Sequence, residues 1–92
     1  MEERRKKINK VDSEIIKLLA KRRDLSREII RLKNESKSTI RDKNREKELL
    51  TQLIKLGKKE GLDSDFVTKV FHEIIDDSIK LQNKILNQKK HK

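Results

Sequence analysis

The first third of the chain carries an apolar stripe with one charge set into it. At alternating steps of three and four residues stand Ile8, Val11, Ile15, Leu18, Arg22, Leu25, Ile29 and Leu32. That spacing returns to one side of a helix and marks the seam it buries against other helices. The stripe predicts a helix over residues 2–35, about 50 Å long at 1.5 Å per residue. The remainder of a 92-residue chain is too short to cover such a rod, so a second protomer is expected alongside it. Arg22 sits where a leucine would continue the stripe. A buried guanidinium costs roughly several kcal/mol unless an anion pairs with it. Either another part of the protein supplies that anion or a ligand does.

The rest of the chain is punctuated by capping signals. A polar stretch over 34–39 follows the first helix. Asp42 is a good N-cap for a second helix over 43–60, with Leu49, Leu50, Leu53, Ile54 and Leu56 apolar. Gly61 followed by Leu62 reads as the left-handed C′ glycine with its apolar successor, and Gly57 weakens the last turn. Asp63 or Ser64 caps a third helix running to about Asn87. Its apolar positions are Phe66, Val67, Val70, Phe71, Ile74, Ile75, Ile79, Leu81, Ile85 and Leu86. The chain reads as one all-α domain over 1–92, with 84–92 a fraying basic tail. No proline and two glycines agree with nearly continuous helix. The 27 Leu, Ile, Val and Phe residues, about 29% of the chain, lie above the level typical of disorder.

Composition also narrows the chemistry. Cysteine is absent and the two histidines, His72 and His91, are far apart in sequence, so no metal site and no cofactor are expected. The net charge of +10 points to solubility or to an anionic partner. With no Tyr or Trp and two Phe, a base-stacking surface is not expected. No signal-peptide pattern and no apolar run near 18 residues is found, so a cytoplasmic protein is expected, without a membrane partner.

Several polar residues share apolar faces. Lys33 follows Arg22 by eleven residues, which returns it to within about 20° of the same direction and about 16 Å along the axis. Glu46 precedes Leu49, Leu50 and Leu53 by three, four and seven residues. Ser78 and Gln82 are an i, i+4 pair in the line Phe71, Ile75, Ser78, Gln82, Ile85. Each has an ordinary structural reading. Arg22 could pair with a buried Glu, and Lys33 could snorkel off the helix end. Glu46 could be a first-turn acid favoured by the helix dipole. Ser78 is small enough for most sites, and Gln82 could fix a helix register. Together they describe a pocket with two cations, a carboxylate, an amide and a hydroxyl, suited to a small ligand bearing carboxylates, a hydroxyl and a neutral acceptor.

The stretches Arg5-Lys6-Lys7-Ile8-Asn9-Lys10-Val11-Asp12, Leu18-Leu19-Ala20-Lys21-Arg22-Arg23, Ile40-Arg41-Asp42-Lys43-Asn44-Arg45-Glu46 and Ile74-Ile75-Asp76-Asp77-Ser78 with Gln82 resemble the all-helical chorismate mutases. These include the stand-alone bacterial type and the equivalent domain of bifunctional chorismate mutase–prephenate dehydratases. Thr39 stands where a proline is common in that family. The resemblance implies a three-helix protomer intertwined as a homodimer, with chorismate as the substrate and prephenate as the product. It implies that Arg5 and Arg22 hold the two substrate carboxylates and that Lys33 and Gln82 donate to the ether oxygen of the breaking bond. Glu46 would bind the ring hydroxyl, assisted by Lys33 and the main chain near Asp42. Ser78 would support a carboxylate, and Arg45 would wall the site and orient Glu46.

Helix geometry adds a constraint. Arg5 lies about 25 Å from Arg22 and about 42 Å from Lys33 along a continuous helix. No small dicarboxylate spans that distance, so Arg5 can serve the same site only from the other protomer. Two further readings stay open at this level. Isochorismate–pyruvate lyases use a similar cationic pocket, although the Ile-Arg-Asp-x-x-Arg-Glu element favours the mutase. A basic helical nucleic-acid-binding module would need its basic residues on one exposed face, whereas Arg22, Glu46 and Gln82 lie on apolar faces.

Overall fold

A computed structural model describes the backbone of residues 1–33 and 42–90; the side chains of Lys33, Lys89 and Lys90 fall outside the description. Among the described residues the chain is three helices and no strand: α1 (Glu2–Lys33), α2 (Lys43–Lys59) and α3 (Ser64–Lys90). The expected loop over 34–39, and Thr39, Ile40 and Arg41 of the family-like element, lie outside the described residues. No helix among the described residues is long and apolar enough to cross a membrane.

The caps fall where the sequence puts them. Asp42 is the N-cap of α2, its Oδ1 accepting from the Arg45 amide at 3.1 Å. At the other end Gly61 adopts φ +81°. Its amide donates to the Lys58 carbonyl at 3.2 Å, and the Leu62 amide donates to the Gly57 carbonyl at 2.8 Å. This pair of bonds is a Schellman close, which only a residue tolerant of positive φ completes without strain. The Asp63 carbonyl accepts from the Val67 amide at 3.1 Å as α3 begins. Helix α3 then continues to Lys90, past the end expected near Asn87, and Leu86 is buried.

Gly57 does more than weaken a turn. It is buried where α2 crosses α3, and a Cβ there would stand 2.7 Å from Val67 Cγ2. The lost helix propensity, about 1 kcal/mol relative to alanine, is the cost of this close approach.

Helix α3 is the centre of the protomer, because α1 and α2 both pack on it. Bonded pairs between α1 and α3 are 52 to 56 residues apart. They advance together, Arg23 with Asp77 and Ser26 with Gln82. The two helices therefore run in the same direction, with α2 returning between them in the chain. The α3-facing line of α1 passes through Arg22, Ser26 and Ile30.

Here the structure corrects the stripe. Ser26 is 7% exposed and Ile30 3%, whereas Leu25, Ile29 and Leu32, each one or two positions away, are exposed. One residue along a helix is a turn of about 100°, so α3 covers a face beside the stripe and leaves the stripe open. Arg22 stands on the border of both faces. Upstream, the stripe is bare: Ile8 is 60% exposed, Val11 53% and Leu18 64%.

Candidate anion-binding site

The C-terminal third of α1 meets α3 through polar groups. Arg22 Nη1 donates a short hydrogen bond to Ser78 Oγ. Ser26 Oγ donates to the same hydroxyl oxygen at 3.3 Å. One turn further, Gln82 Nε2 donates to the Ser26 carbonyl at 3.1 Å. The i, i+4 spacing of Arg22 with Ser26, and of Ser78 with Gln82, places each pair on one face of its helix. Parallel packing brings the two faces together. Arg22, Ser78 and Gln82 are all half-buried, so their hydrogen bonds work in a medium less screened than water.

This arrangement matches the expected grouping of Arg22, Ser78 and Gln82 and adds Ser26, which the sequence placed only between Arg22 and Lys33. A carboxamide has two N–H groups. One of those on Gln82 is tied to Ser26, which fixes the plane of the amide and the direction of the other. The guanidinium of Arg22 has five N–H donors, and a hydroxyl occupies one. The cluster can therefore offer a fork to a carboxylate and a single donor about one turn away.

The remaining expected residues are distributed differently. Glu46 is half-buried in the first turn of α2, and Arg45 beside it is exposed. Asp42 spends its carboxylate on the α2 N-terminus. Lys33 is the last residue of α1, and its side chain lies outside the described residues. Arg5 is exposed in the first turns of α1, seventeen residues before Arg22. It is not brought to the Arg22 cluster within the protomer.

A second pair lies at the same helix crossing. Arg23 grips Asp77 with a two-bond fork, Nε to Oδ2 at 2.8 Å and Nη2 to Oδ1 at 2.5 Å. The hydrogen bonds from Arg23 are the largest influence holding the Asp77 carboxyl below its ordinary value. The charges of Arg23, Lys80 and Arg22 act the same way, and partial desolvation opposes them. The Asp77 bond in turn raises the Arg23 guanidinium. Sequence reasoning missed this pair, because only the parallel register of α1 and α3 places residue 23 beside residue 77. Among the described residues no group of three or more His, Cys, Asp or Glu is placed to hold a metal ion.

Of the three helices of this all-α domain, α1 and α3 present a half-buried arginine, two hydroxyls and an oriented amide at their crossing, a donor set suited to a small anion. Comparison with known proteins gives that class its family. Residues 4–83 match the chorismate mutase type II family, and the chain belongs to it. It is 44% identical over 84 residues to the bifunctional chorismate mutase/prephenate dehydratase of Buchnera aphidicola from Acyrthosiphon pisum. The same-named protein of Escherichia coli K12 is 42% identical over 84 residues. Each alignment takes in 91% of this chain and 22% of the relative, so the chain spans about a fifth of the bifunctional proteins. The chorismate mutase of Methanocaldococcus jannaschii is 33% identical over 88 residues, covering 96% of this chain and 89% of the relative.

Proposed function

We propose that the chain is a chorismate mutase that rearranges chorismate to prephenate as an intertwined homodimer in the cytoplasm, in aromatic amino acid biosynthesis. The observation that carries the reading is the convergence of Arg22, Ser78 and Gln82 at one helix crossing in a member of this family. In the reaction one C–O bond breaks and one C–C bond forms within a single molecule, and no proton or electron leaves it. The protein's task is to hold a flexible dianion in a compact conformer and to stabilise charge growing on the ether oxygen.

Each proposed role follows from donor chemistry. Arg22 takes one substrate carboxylate in its fork, with Ser78 supporting it. Gln82 and Lys33 donate to the ether oxygen, and one such preorganised donor is worth about 3–4 kcal/mol of barrier. Glu46 accepts from the ring hydroxyl, near the main chain at Asp42, and Arg45 orients Glu46. Arg5 of the second protomer takes the other carboxylate.

Exposed area supports the dimer. The protomer exposes 8132 Å², against about 5,600 Å² expected for a compact chain of its mass. Its radius of gyration is 16.2 Å, against about 12 Å for a compact domain of this length. Two apolar faces stand open on it: the α1 stripe through Ile8, Val11, Ile15 and Leu18, and the α2–α3 side with Leu56, Leu62, Phe66 and Val70. In a twofold pair, one face of each chain can cover the other face of its partner. The excess of roughly 2,500 Å² is of the size that permanent dimers bury. The same crossing carries Arg5 of one chain toward the Arg22 cluster of the other.

The test is prephenate formation from chorismate, followed spectrophotometrically, for the native chain and for Gln82→Glu. The native chain is expected to turn over chorismate at pH 7.5. The variant is expected to work only in acid, because only a protonated carboxyl can donate to the ether oxygen. Unchanged turnover of the variant at pH 7.5 would remove the role of Gln82. Pyruvate release from isochorismate without prephenate formation would replace the mutase with the lyase.

A further inference from the structure

We infer that Arg23 is a positioning residue that keeps Arg22 open to an anionic ligand by holding the Asp77 carboxylate away from it. Asp77 immediately precedes Ser78, and Ser78 is the residue whose hydroxyl accepts from Arg22. The Asp77 carboxylate is therefore carried by the residue beside the one Arg22 contacts, and the Arg22 charge acts on it after those of Arg23 and Lys80. Both oxygens of that carboxylate are taken by Arg23, at 2.8 and 2.5 Å. A two-bond fork fixes the direction of the carboxylate as well as its distance. Arg23 and Arg22 are consecutive on α1, so about 100° of helix separates the guanidinium that binds Asp77 from the one that faces Ser78.

Besides Arg23, the guanidinium whose charge acts on Asp77 is that of Arg22. A carboxylate fixed to the same chain competes at an effective concentration in the millimolar range or above. Without Arg23 it would occupy the fork that an incoming carboxylate needs, and the protein would carry its own competing anion. The charge of Lys80 also acts on Asp77, ahead of that of Arg22, but it is a single point that cannot replace a fork. A strut across the helix crossing is the simpler role for the pair. However, both side chains are about half exposed, 53% and 41%, and exposed pairs contribute little to stability. The two roles differ in one respect. A strut loses the same thing whichever partner is removed, whereas a guard does harm only when Arg23 is lost and Asp77 remains.

The kinetic arm of the test rests on the proposed mutase activity. Arg23→Ala is expected to raise KM for chorismate about tenfold with kcat little changed, as when nine molecules in ten hold Asp77 on Arg22. Asp77→Asn is expected to stay within about twofold of native KM, and Arg23→Ala/Asp77→Asn to return to that range. A double variant as poor as Arg23→Ala, or an Arg23→Ala variant with native KM, overturns the inference.

A second arm needs no activity. The Asp77 carboxyl is titrated by carbon NMR in native, Arg23→Ala and Arg22→Ala/Arg23→Ala proteins. It is expected to stay below the ordinary carboxylate range in Arg23→Ala, where Arg22 takes over. It is expected to rise toward that range once Arg22 is removed too. An ordinary value in Arg23→Ala alone overturns the inference. A native protein that leaves chorismate untouched overturns the functional reading and leaves the titration result standing.

Discussion

The two ends of α1 have the same periodicity and different fates. Over its last third, Ser26 and Ile30 are buried against α3, and the contact is built around Arg22, Ser78 and Gln82. Over its first two-thirds, Ile8, Val11, Ile15 and Leu18 are each about half exposed or more. The packed end buries polar groups at its contact while the bare end leaves Ile8, Val11, Ile15 and Leu18 open, the reverse of what burial alone would favour. The difference is what the proposed dimer requires: an apolar stripe left open for a partner chain, and an intrachain contact made of the side chains proposed to bind substrate. A domain of this size is short of core, and this one places most of its apolar stripe outside its own fold.

The largest expected effect breaks the bare end. Ile15→Lys puts a charge in the middle of the open stripe. It is expected to turn dimer into monomer by sedimentation and to lower mutase activity at least about a hundredfold, because a desolvated lysine costs several kcal/mol. A dimeric, active Ile15→Lys would mean that the stripe is not the interface. A middle-sized effect sharpens the packed end. Gly57→Ala sets a methyl 2.7 Å from Val67 Cγ2. Overpacking costs about 1–3 kcal/mol and alanine regains about 1 through helix propensity. A net loss of about 1 kcal/mol in denaturant melts is expected, with the oligomeric state unchanged. Enhanced stability would show that α2 and α3 can part cheaply.

The smallest effect is one of pH. Arg23 holds Asp77 below its ordinary range, so the pair's contribution to stability is full above that range and lost as pH falls through the depressed value. Native protein is therefore expected to lose Tm on acidification across that window slightly more steeply than Asp77→Asn does. Parallel Tm curves for the two would remove the linkage.

Much of this was legible in the sequence, for identifiable reasons. Caps are local chemistry, so Asp42, Gly61 and the start of α3 could be read from adjacent residues. The grouping of Ser78 with Gln82 needed only a period of 3.6. Arg22 could be grouped with them because each is a polar residue set into an apolar face, while nothing local reports which helices pair. What could not be read was the rotation of α1 against α3. A shift of one residue, about 100°, exchanges Ile29 for Ile30 as the buried residue. The same shift hid the Arg23–Asp77 fork. Gly57 looked like a weak point because its neighbour Val67 is ten residues further on, beyond the reach of local pattern.

The central claim is that one site draws Arg22 from one chain and Arg5 from the other, and subunit mixing tests it directly. Arg5→Ala and Arg22→Ala are each expected to be inactive as homodimers. After unfolding and refolding together in equal amounts, half of the dimers should be mixed, each with one site holding both native arginines and one holding neither. Turnover of chorismate should then return to about a quarter of the native value, as twofold symmetry dictates. A mixture that refolds to dimers and stays as inactive as its parents would contradict a site shared between chains.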